Sequence, residues 1–398
     1  MALTHIDPQA DTASVRRISI LGATGSIGKS TTDLIRRNRE RFQVVALTAN
    51  GNAAALAELA REFEAELAVV ADTGALEDLQ RALAGTSIET AAGPDALCDA
   101  AGVPADLIVA GIVGAAGLDA TLAAVRQGTL LALANKECLV CAGDLLLAES
   151  ERAGTRLLPL DSEHNAIFQV FEADNADDVE KLIVTASGGP FRTWSRKQMA
   201  SATREQAISH PNWDMGRKIS VDSATMMNKG LELIEAAYLF PVAEPDIEVL
   251  VHPQSVVHSM VAYVDGSVLA QMGPPDMRVP IAHALAWPAR MQSPAARLDL
   301  AAIGSLDFEA PDLERFPAID LARNALAAGG GATVVLNAAN EVAVNRFLDG
   351  EIGFLAIADT VARTLDQVNG YDIRSLDDFR ALDQESRAVA QMLVKSNS

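Results

Sequence analysis

Residues 17–38 read RISILGATGSIGKSTTDLIRRN, and this stretch decides the fold. Ile18, Ile20 and Leu21 make a short β-forming run that stops at Gly22. Glycines recur at 25 and 28, and a helical pattern is expected over Thr31–Asn38. Strand, glycine turn and helix in that order open a βα unit. The three glycines fit a G-x-x-G-x-x-G dinucleotide fingerprint, in which small residues let the backbone approach a pyrophosphate at a helix N-terminus. The same letters nearly fit a phosphate loop of the Walker type: Gly28-Lys29-Ser30 has its ending, and Ala23 stands where its first glycine belongs. Glycine turns that hold no ligand also occur.

Outward from that turn, short β-branched runs alternate with Ala/Leu/Arg-rich helical text. Strands are expected at 17–21, 43–48, 67–71, 106–110, 129–134 and 156–160, with helices between them such as 53–63 and 118–127. This alternation predicts an α/β fold with a Rossmann-like, doubly wound parallel sheet. From Asp161 the text is mixed and more polar, with strands expected at 181–185, 248–251, 256–264 and 267–271. It turns helical after Pro274, Pro275 and Pro280, and again from Pro311.

Three facts favour the dinucleotide over the phosphate loop. Position 23 is Ala where the loop needs Gly, the motif opens the first of several βα units, and no clear strand–Asp partner follows. The second strand runs into Asn50-Gly51-Asn52, where an NAD site would place an acid on the ribose hydroxyls. Its absence leans toward NADP, although no Arg or Lys in that turn meets a 2′-phosphate.

Composition sets the outer bounds. With 398 residues the chain exceeds one ordinary core, so two or three domains are expected. A net charge of −21 argues against a nucleic-acid surface and for a cytoplasmic protein. The longest uncharged apolar run, 107–118, reads as a buried strand and turn and is too short to span a bilayer, so no membrane partner is expected. Residues 1–17 have no apolar core of the kind a secretory or transit peptide carries. Cys138 and Cys141 form a C-x-x-C without a second pair of ligands, which reads as packing one helical turn apart.

Candidate chemistry gathers at the strand ends. Asp161-Ser162-Glu163 follows the last strand of the first sheet. On an extended segment its two carboxylates point to one side, a hard oxygen set for Mg²⁺ or Mn²⁺, with Glu232 as the third ligand. Thr185-Ala-Ser187-Gly188-Gly189-Pro190 offers a hydroxyl and successive amides for an anion. The densest polar run is 210–232, HPNWDMGRKISVDSATMMNKGLE, which shows no core-helix stripe until its last turn. Ser223, Asn228 and Lys229 suit a phosphate cup, His210 a donor or general acid, and Trp213 with Met215 an apolar flap. Lys136 lies at another strand end, and His252 and His258 read as structural.

GATGSIG, GIVGAAGL, LANKE, LLPLDSEHNAIFQ, SGGPFR, the 210–232 run, HPQSVVHSMV, PDMRVPIAHALAWP and LNAANEVAV together cover almost the whole chain. In these motifs it resembles the 1-deoxy-D-xylulose 5-phosphate reductoisomerase family. The resemblance implies a homodimeric enzyme with an NADPH-binding domain at 1–160, a catalytic, metal-binding and dimerising domain at 161–300, and a helical domain at 301–398. NADPH would meet Thr24, Gly25, Ser26, Ile27, Asn50, Gly51, Asn52, Asn135, Glu137 and Gly216. Asp161, Glu163 and Glu232 would take the metal. The sugar phosphate would meet Lys136, Ser162, Glu163, Ser187, His210, Trp213, Ser223, Asn228, Lys229 and Glu232, with Lys136, His210 and the three metal ligands catalytic. The implied reaction rearranges the ketose phosphate to a branched aldehyde and reduces it to 2-C-methyl-D-erythritol 4-phosphate. Two positions depart from the family pattern: Gly51 stands where some members have a basic residue, and Cys138 and Cys141 where Ser and Thr are expected. Two other functions compete, a phosphotransferase using Ala23–Ser30 and a catalytically silent nucleotide sensor; the trio Asp161, Glu163 and Glu232 speaks against the sensor.

Overall fold

A computed structural model describes residues 15–213 and 215–395. Most of the N-terminal stretch read for a leader lies outside the described residues. The chain divides into two compact units. Among the described residues, one takes in 15–138, Leu146–Asn165 and Asp276–Ala295; the other takes in Leu139–Leu145, Ala166–Pro275 and 296–395.

The first unit is built on seven parallel strands: β1 (Arg16–Leu21), β2 (Phe42–Ala49), β3 (Leu67–Val70), β4 (Glu89–Ala92), β5 (Leu107–Ala110), β6 (Leu130–Leu133) and β7 (Arg156–Pro159). Their order across the sheet is β4-β3-β2-β1-β5-β6-β7. Strands such as Leu107–Ala110 are buried on both faces, as a sheet covered by helices on either side requires. Strand order reverses between β1 and β5, which pair from Ile18–Leu107 to Leu21–Ala110. The glycine turn therefore sits at the switch point, where α/β sheets open a crevice.

Local chemistry explains how that turn departs from the reading of the sequence. The helix starts at Ser26, not Thr31, with Gly25 as its N-cap and no acid in its first turn. Gly28 lies inside it, and a Cβ there would stand 2.3 Å from the Ala23 carbonyl oxygen. Gly22 has φ +86°, and its missing Cβ clears the Gly111 carbonyl oxygen. The glycines let the turn, the helix and β5 close on one another. One strand escaped the sequence reading: β4, the sheet's edge, is Glu-Thr-Ala-Ala and partly exposed. In the 107–118 run, Leu107–Ala110 is buried as expected but Val113, in the turn, is 73% exposed.

The second unit contains a four-stranded sheet of β8 (Val179–Ala186), β9 (Ile247–Val251), β10 (Val257–Tyr263) and β11 (Val268–Met272), in the order β11-β10-β8-β9. Beside it the chain is helical. The helix Met227–Leu239 buries Leu231 and Ile234 in a core shared with Ala318, Ala322, Leu336, Val361 and Ala390. Gly230 makes that contact close, since a Cβ there would lie 2.8 Å from the Ala322 Cβ. Helices Ala318–Ala328, Ala332–Leu348, Ala356–Gln367 and Leu376–Lys395 supply the helical C-terminal text read from the sequence. The 210–232 run is more helical than its sequence suggested: Arg217–Ala224 forms a helix of its own before Met227 starts the next.

Gly28→Val is expected to lower stability by about 2–4 kcal/mol through a backbone clash that no rotamer relieves. Thermal unfolding measures it, and an unchanged melting temperature would contradict the close packing of the turn.

Candidate functional site

In the first unit, the carboxyl ends of the strands carry the polar groups. Ala23 donates its N–H to the Thr48 carbonyl at 2.7 Å, and Gly22 its N–H to Thr48 Oγ1 at 2.9 Å, pinning the glycine turn to the end of β2. Gly25 and Ser26 are exposed there, and no side chain caps the helix. Its first-turn amides are thus open to an anion. Lys29 is exposed and one turn into the helix, away from the place a phosphate loop gives it. Asn50-Gly51-Asn52 are exposed, and Asn52 caps the next helix by accepting the Ala55 N–H. Asp72, at the end of β3, caps the turn there by accepting the Gly74 N–H at 2.9 Å and lies beside this segment: a Cβ at Gly51 would stand 3.4 Å from Asp72 Oδ2. Nothing in the spacing signalled Asp72, because the contact is across parallel neighbours.

After β6, Asn135 is 3% exposed and donates through Nδ2 to the Gly114 carbonyl at 2.8 Å. Its Oδ1 is buried with no partner among the described residues. Such an acceptor is satisfied when a bound group brings a donor to it. Lys136 is not the surface lysine its residue type suggests; it is buried and pairs with Asp161 Oδ2 at 2.5 Å. Glu137 follows, also buried, at the start of the helix Glu137–Ala153. Cys138 and Cys141 lie buried in that helix, in keeping with packing.

The expected extended Asp161-Ser162-Glu163 is not extended. β7 ends at Pro159 and a helix runs from Ser162 to Val170. Asp161 Oδ1 accepts the Glu163 N–H at 3.2 Å, and Ser162 Oγ donates to Glu163 Oε2 at 2.5 Å. Asp161 thus stands before the helix and Glu163 in its first turn, where carboxylates are favoured by the amide dipoles. Burial pushes the Asp161 carboxyl up, but the Lys136 ammonium, followed by His164 (Nδ1 at 3.4 Å), outweighs it and holds the group well below the usual carboxylate range.

The second unit gathers the hydroxyls and His210. β8 delivers Ser187, whose Oγ accepts the Gly189 N–H at 3.1 Å and lies 2.8 Å from His210 Nε2. His210 Nδ1 faces two main-chain donors, Asn212 N at 3.2 Å and Trp213 N at 3.0 Å. A nitrogen that accepts twice carries no proton, so the proton of the neutral ring is on Nε2, which donates toward Ser187. Burial alone lowers the His210 pKa to about 4, in agreement with that neutral form. His210 is therefore a donor without a charge near neutral pH. The Ser223 backbone packs against the same turn: Gly189, with φ +66°, lies where a Cβ would meet the Ser223 carbonyl at 2.7 Å.

Trp213 is half-buried, its ring 6.1 Å from that of His258. Its neighbour Asn212 ties the loop down, donating to the Pro253 carbonyl at 2.8 Å and to Ser255 Oγ at 2.9 Å. Gly216 is exposed at the start of the next helix. Asn228 and Lys229 both donate to the buried carboxylate of Glu232, one helical turn on. His252 stacks on Phe308 and uses both ring nitrogens on the backbone, as a structural histidine does.

The fold and these groups define a class: a dinucleotide-binding α/β protein with paired acids and a separate nest of uncharged anion donors. Family models described as 1-deoxy-D-xylulose 5-phosphate reductoisomerase match residues 18–143, with its C-terminal domain models matching 157–240 and 272–389. The reductoisomerase of Rhodospirillum centenum is 58% identical over 96% of this chain and 94% of its own length. That of Zymomonas mobilis is 57% identical over 96% and 98%. A solved Zymomonas mobilis reductoisomerase in complex with NADPH superposes with a TM-score of 0.92 at 56% identity, covering 96% of this chain and all of that one. A solved DOX-P reductoisomerase in complex with NADPH, fosmidomycin and magnesium gives 0.90 at 44% identity over 96% of this chain and 98% of that one. The chain belongs to the 1-deoxy-D-xylulose 5-phosphate reductoisomerase family. The phosphotransferase alternative finds no support, since the family model spans the whole of Ala23–Ser30.

The neutral state of His210 is directly measurable. Its folded pKa lies below the ordinary value, so the protein loses stability as pH falls from about 6.5 through about 4 and the ring is forced to charge. Nitrogen-15 NMR at pH 7 is expected to show the proton on Nε2, with a titration midpoint near 4. A midpoint near 6.5, or a proton on Nδ1, would refute the assignment.

Proposed function

We propose that this chain converts 1-deoxy-D-xylulose 5-phosphate to 2-C-methyl-D-erythritol 4-phosphate, using NADPH and Mg²⁺ or Mn²⁺, as a step of isoprenoid synthesis. The observation that carries the reading is that the groups this chemistry needs are already held by partners, Lys136 with Asp161 at strand ends of the first unit and Ser187 with His210 and Lys229 with Glu232 in the second, in a chain of this family. NADPH fits the exposed amides of the glycine turn, Thr24–Ile27, with Asn50–Asn52 at the adjacent strand end and Gly216 on the second unit. The unsatisfied Asn135 Oδ1, beside Glu137, offers the acceptor a cofactor donor would fill. Asp161, Glu163 and Glu232 are hard oxygen ligands suited to Mg²⁺ or Mn²⁺ and unsuited to soft metals.

When bound, the metal supplies Lewis acidity at the ketose oxygens and NADPH supplies the hydride. The chain's own residues do the rest. Ser187, His210, Ser223, Asn228 and Lys229 hold the phosphate end, with Ser162 and Lys136 toward the reacting oxygens. Holding the phosphate away from the reacting carbons lets binding energy orient the substrate. Trp213, with Met215, covers the site and excludes water from the aldehyde intermediate. Nδ1 of His210 is occupied by two amides, so this ring orients the substrate and does not serve as a general acid at neutral pH. We keep the threefold division at 1–160, 161–300 and 301–398 as a functional one: cofactor, chemistry, support.

We further propose a homodimer joined through β11. This edge strand exposes Val268 (50%) and Leu269 (39%), with Val264 (65%) just before it, an apolar edge that a second copy would cover. The three cysteines form no disulfide, which fits the cytoplasmic setting we assign it.

NADPH absorbance should fall only when deoxyxylulose phosphate and Mg²⁺ or Mn²⁺ are both present; no consumption under those conditions would refute the function. Glu232→Gln is expected to lower kcat at least about a hundredfold while NADPH affinity stays within about twofold. Equal loss of both would make Glu232 structural. Val268→Lys with Leu269→Lys should shift the dimer toward monomer in light scattering, and a dimer indifferent to both changes would exclude the β11 edge.

A further inference from the structure

We infer that Asp222 and Asn340 are a positioning pair for the phosphate-binding hydroxyl of Ser223, a role that rests on the phosphate reading above. Asp222 lies in the helix Arg217–Ala224, immediately before Ser223, and its side chain is 2% exposed. Lys218, one turn earlier, reaches Asp222 Oδ2 at 2.9 Å. Asn340, fully buried in the helix Ala332–Leu348, donates through Nδ2 to Asp222 Oδ1 at 2.8 Å.

This asparagine is poorly explained by packing. Its helix puts Leu336, Ala339 and Val342 in the core, and the other buried asparagine there, Asn337, is engaged with Glu341 and not with Asp222. The Asn340 Oδ1 has no hydrogen-bond partner among the described residues. An alanine would avoid that penalty, so the amide is retained for what it does to Asp222. Asp222 in turn is a buried carboxylate whose two oxygens are spoken for, one by each neighbour. Together they clamp the last turn of the Arg217–Ala224 helix to the helical core behind it.

What the clamp positions is set by the chain. Ser223 follows Asp222, and its carbonyl meets Gly189, next to the Ser187–His210 hydrogen bond. A shift of this turn by an ångström would move the Ser223 backbone against Gly189, and with it the hydroxyl that the phosphate reading assigns to the same anion as Ser187 and His210. Asn340 touches neither substrate nor cofactor in this scheme. It acts through Asp222, and its loss should appear as weaker sugar-phosphate binding rather than slower chemistry.

The test is a double-mutant cycle on steady-state kinetics of the full-length enzyme with Mg²⁺, using Ser223→Ala, Asn340→Ala and both. Each single change is expected to raise KM for deoxyxylulose phosphate about tenfold, with KM for NADPH and, for Asn340→Ala, kcat within about twofold. The double variant should be little worse than either, because both remove the same positioned hydroxyl. Effects that multiply, or equal rises in both KM values, would overturn the inference. If Ser223→Ala raises KM and Asn340→Ala does not, the coupling fails alone. If Ser223→Ala itself changes nothing, the phosphate reading fails and takes the coupling with it. Should Asn340→Ala not fold, Asn340→Asp sets two carboxylates face to face and should raise KM. Combining it with Asp222→Asn restores one donor to one acceptor and should lower KM again, and no rescue would overturn the pairing.

Discussion

Two buried ion pairs underlie the chemistry of this chain: Lys136 with Asp161 in one unit, and Lys229 with Glu232 in the other. An acid away from water is tolerated only with a cation or several donors at hand, and removing one partner of a buried pair costs about 3–5 kcal/mol. Asp161 illustrates the balance. Its burial favours the neutral acid, and Lys136 with His164 reverses that preference, so it stays anionic. In the other unit Asn228 and Lys229 converge on Glu232 from the same helix. Sequence spacing enforces this, because residues three and four apart share a helical face. Each acid thereby waits in ionic company, which is a reason for both lysines to be buried.

The glycine turn is subject to a different constraint, one of volume. Gly22 and Gly28 lack the Cβ atoms that would strike Gly111 and Ala23, so strand, turn and helix converge at the sheet's switch point. Only then do the first amides of the helix Ser26–Arg36 open onto the crevice. Gly230 does for the Met227–Leu239 helix what Gly28 does for the nucleotide turn: it allows close packing on Ala322, which fixes the face bearing Lys229 and Glu232. Packing residues thus govern ligand geometry in both units.

Much of this was legible in the letters. Short, near-continuous apolar runs revealed most of the parallel sheet, and the glycine spacing revealed its switch point, because both are local signals. Edge strand β4 was missed for want of apolar residues, and Asp72 because it approaches Gly51 across strands rather than along the chain. Asp161-Ser162-Glu163 was misread as extended since a carboxylate that caps a helix looks, in sequence, like one in a loop. Residue type alone would put Lys136 on the surface, and burial overrides type because Asp161 lies beside it. Asn340 gave no signal: a buried asparagine in LNAANEVAV acquires meaning only when Asp222, more than a hundred residues away, is seen to accept from it.

An acidic chain with a net charge of −21 has to hold a phosphate against its own field. A broad basic patch would draw in many anions and would here be largely cancelled by the surrounding carboxylates. On the reading proposed above, the second unit would rely instead on directed, mostly uncharged donors: the Nε2–H of His210, the hydroxyls of Ser187 and Ser223, and the amides of a glycine turn. Lys229, the one buried ammonium in that group, is already engaged with Glu232. Recognition by hydrogen-bond direction falls off steeply when a donor is displaced, whereas recognition by charge does not. That difference is why the scaffold behind the donors matters so much here. A clamp as remote as Asn340 on Asp222 has leverage on a site that reads geometry, and would have little on one that read charge alone.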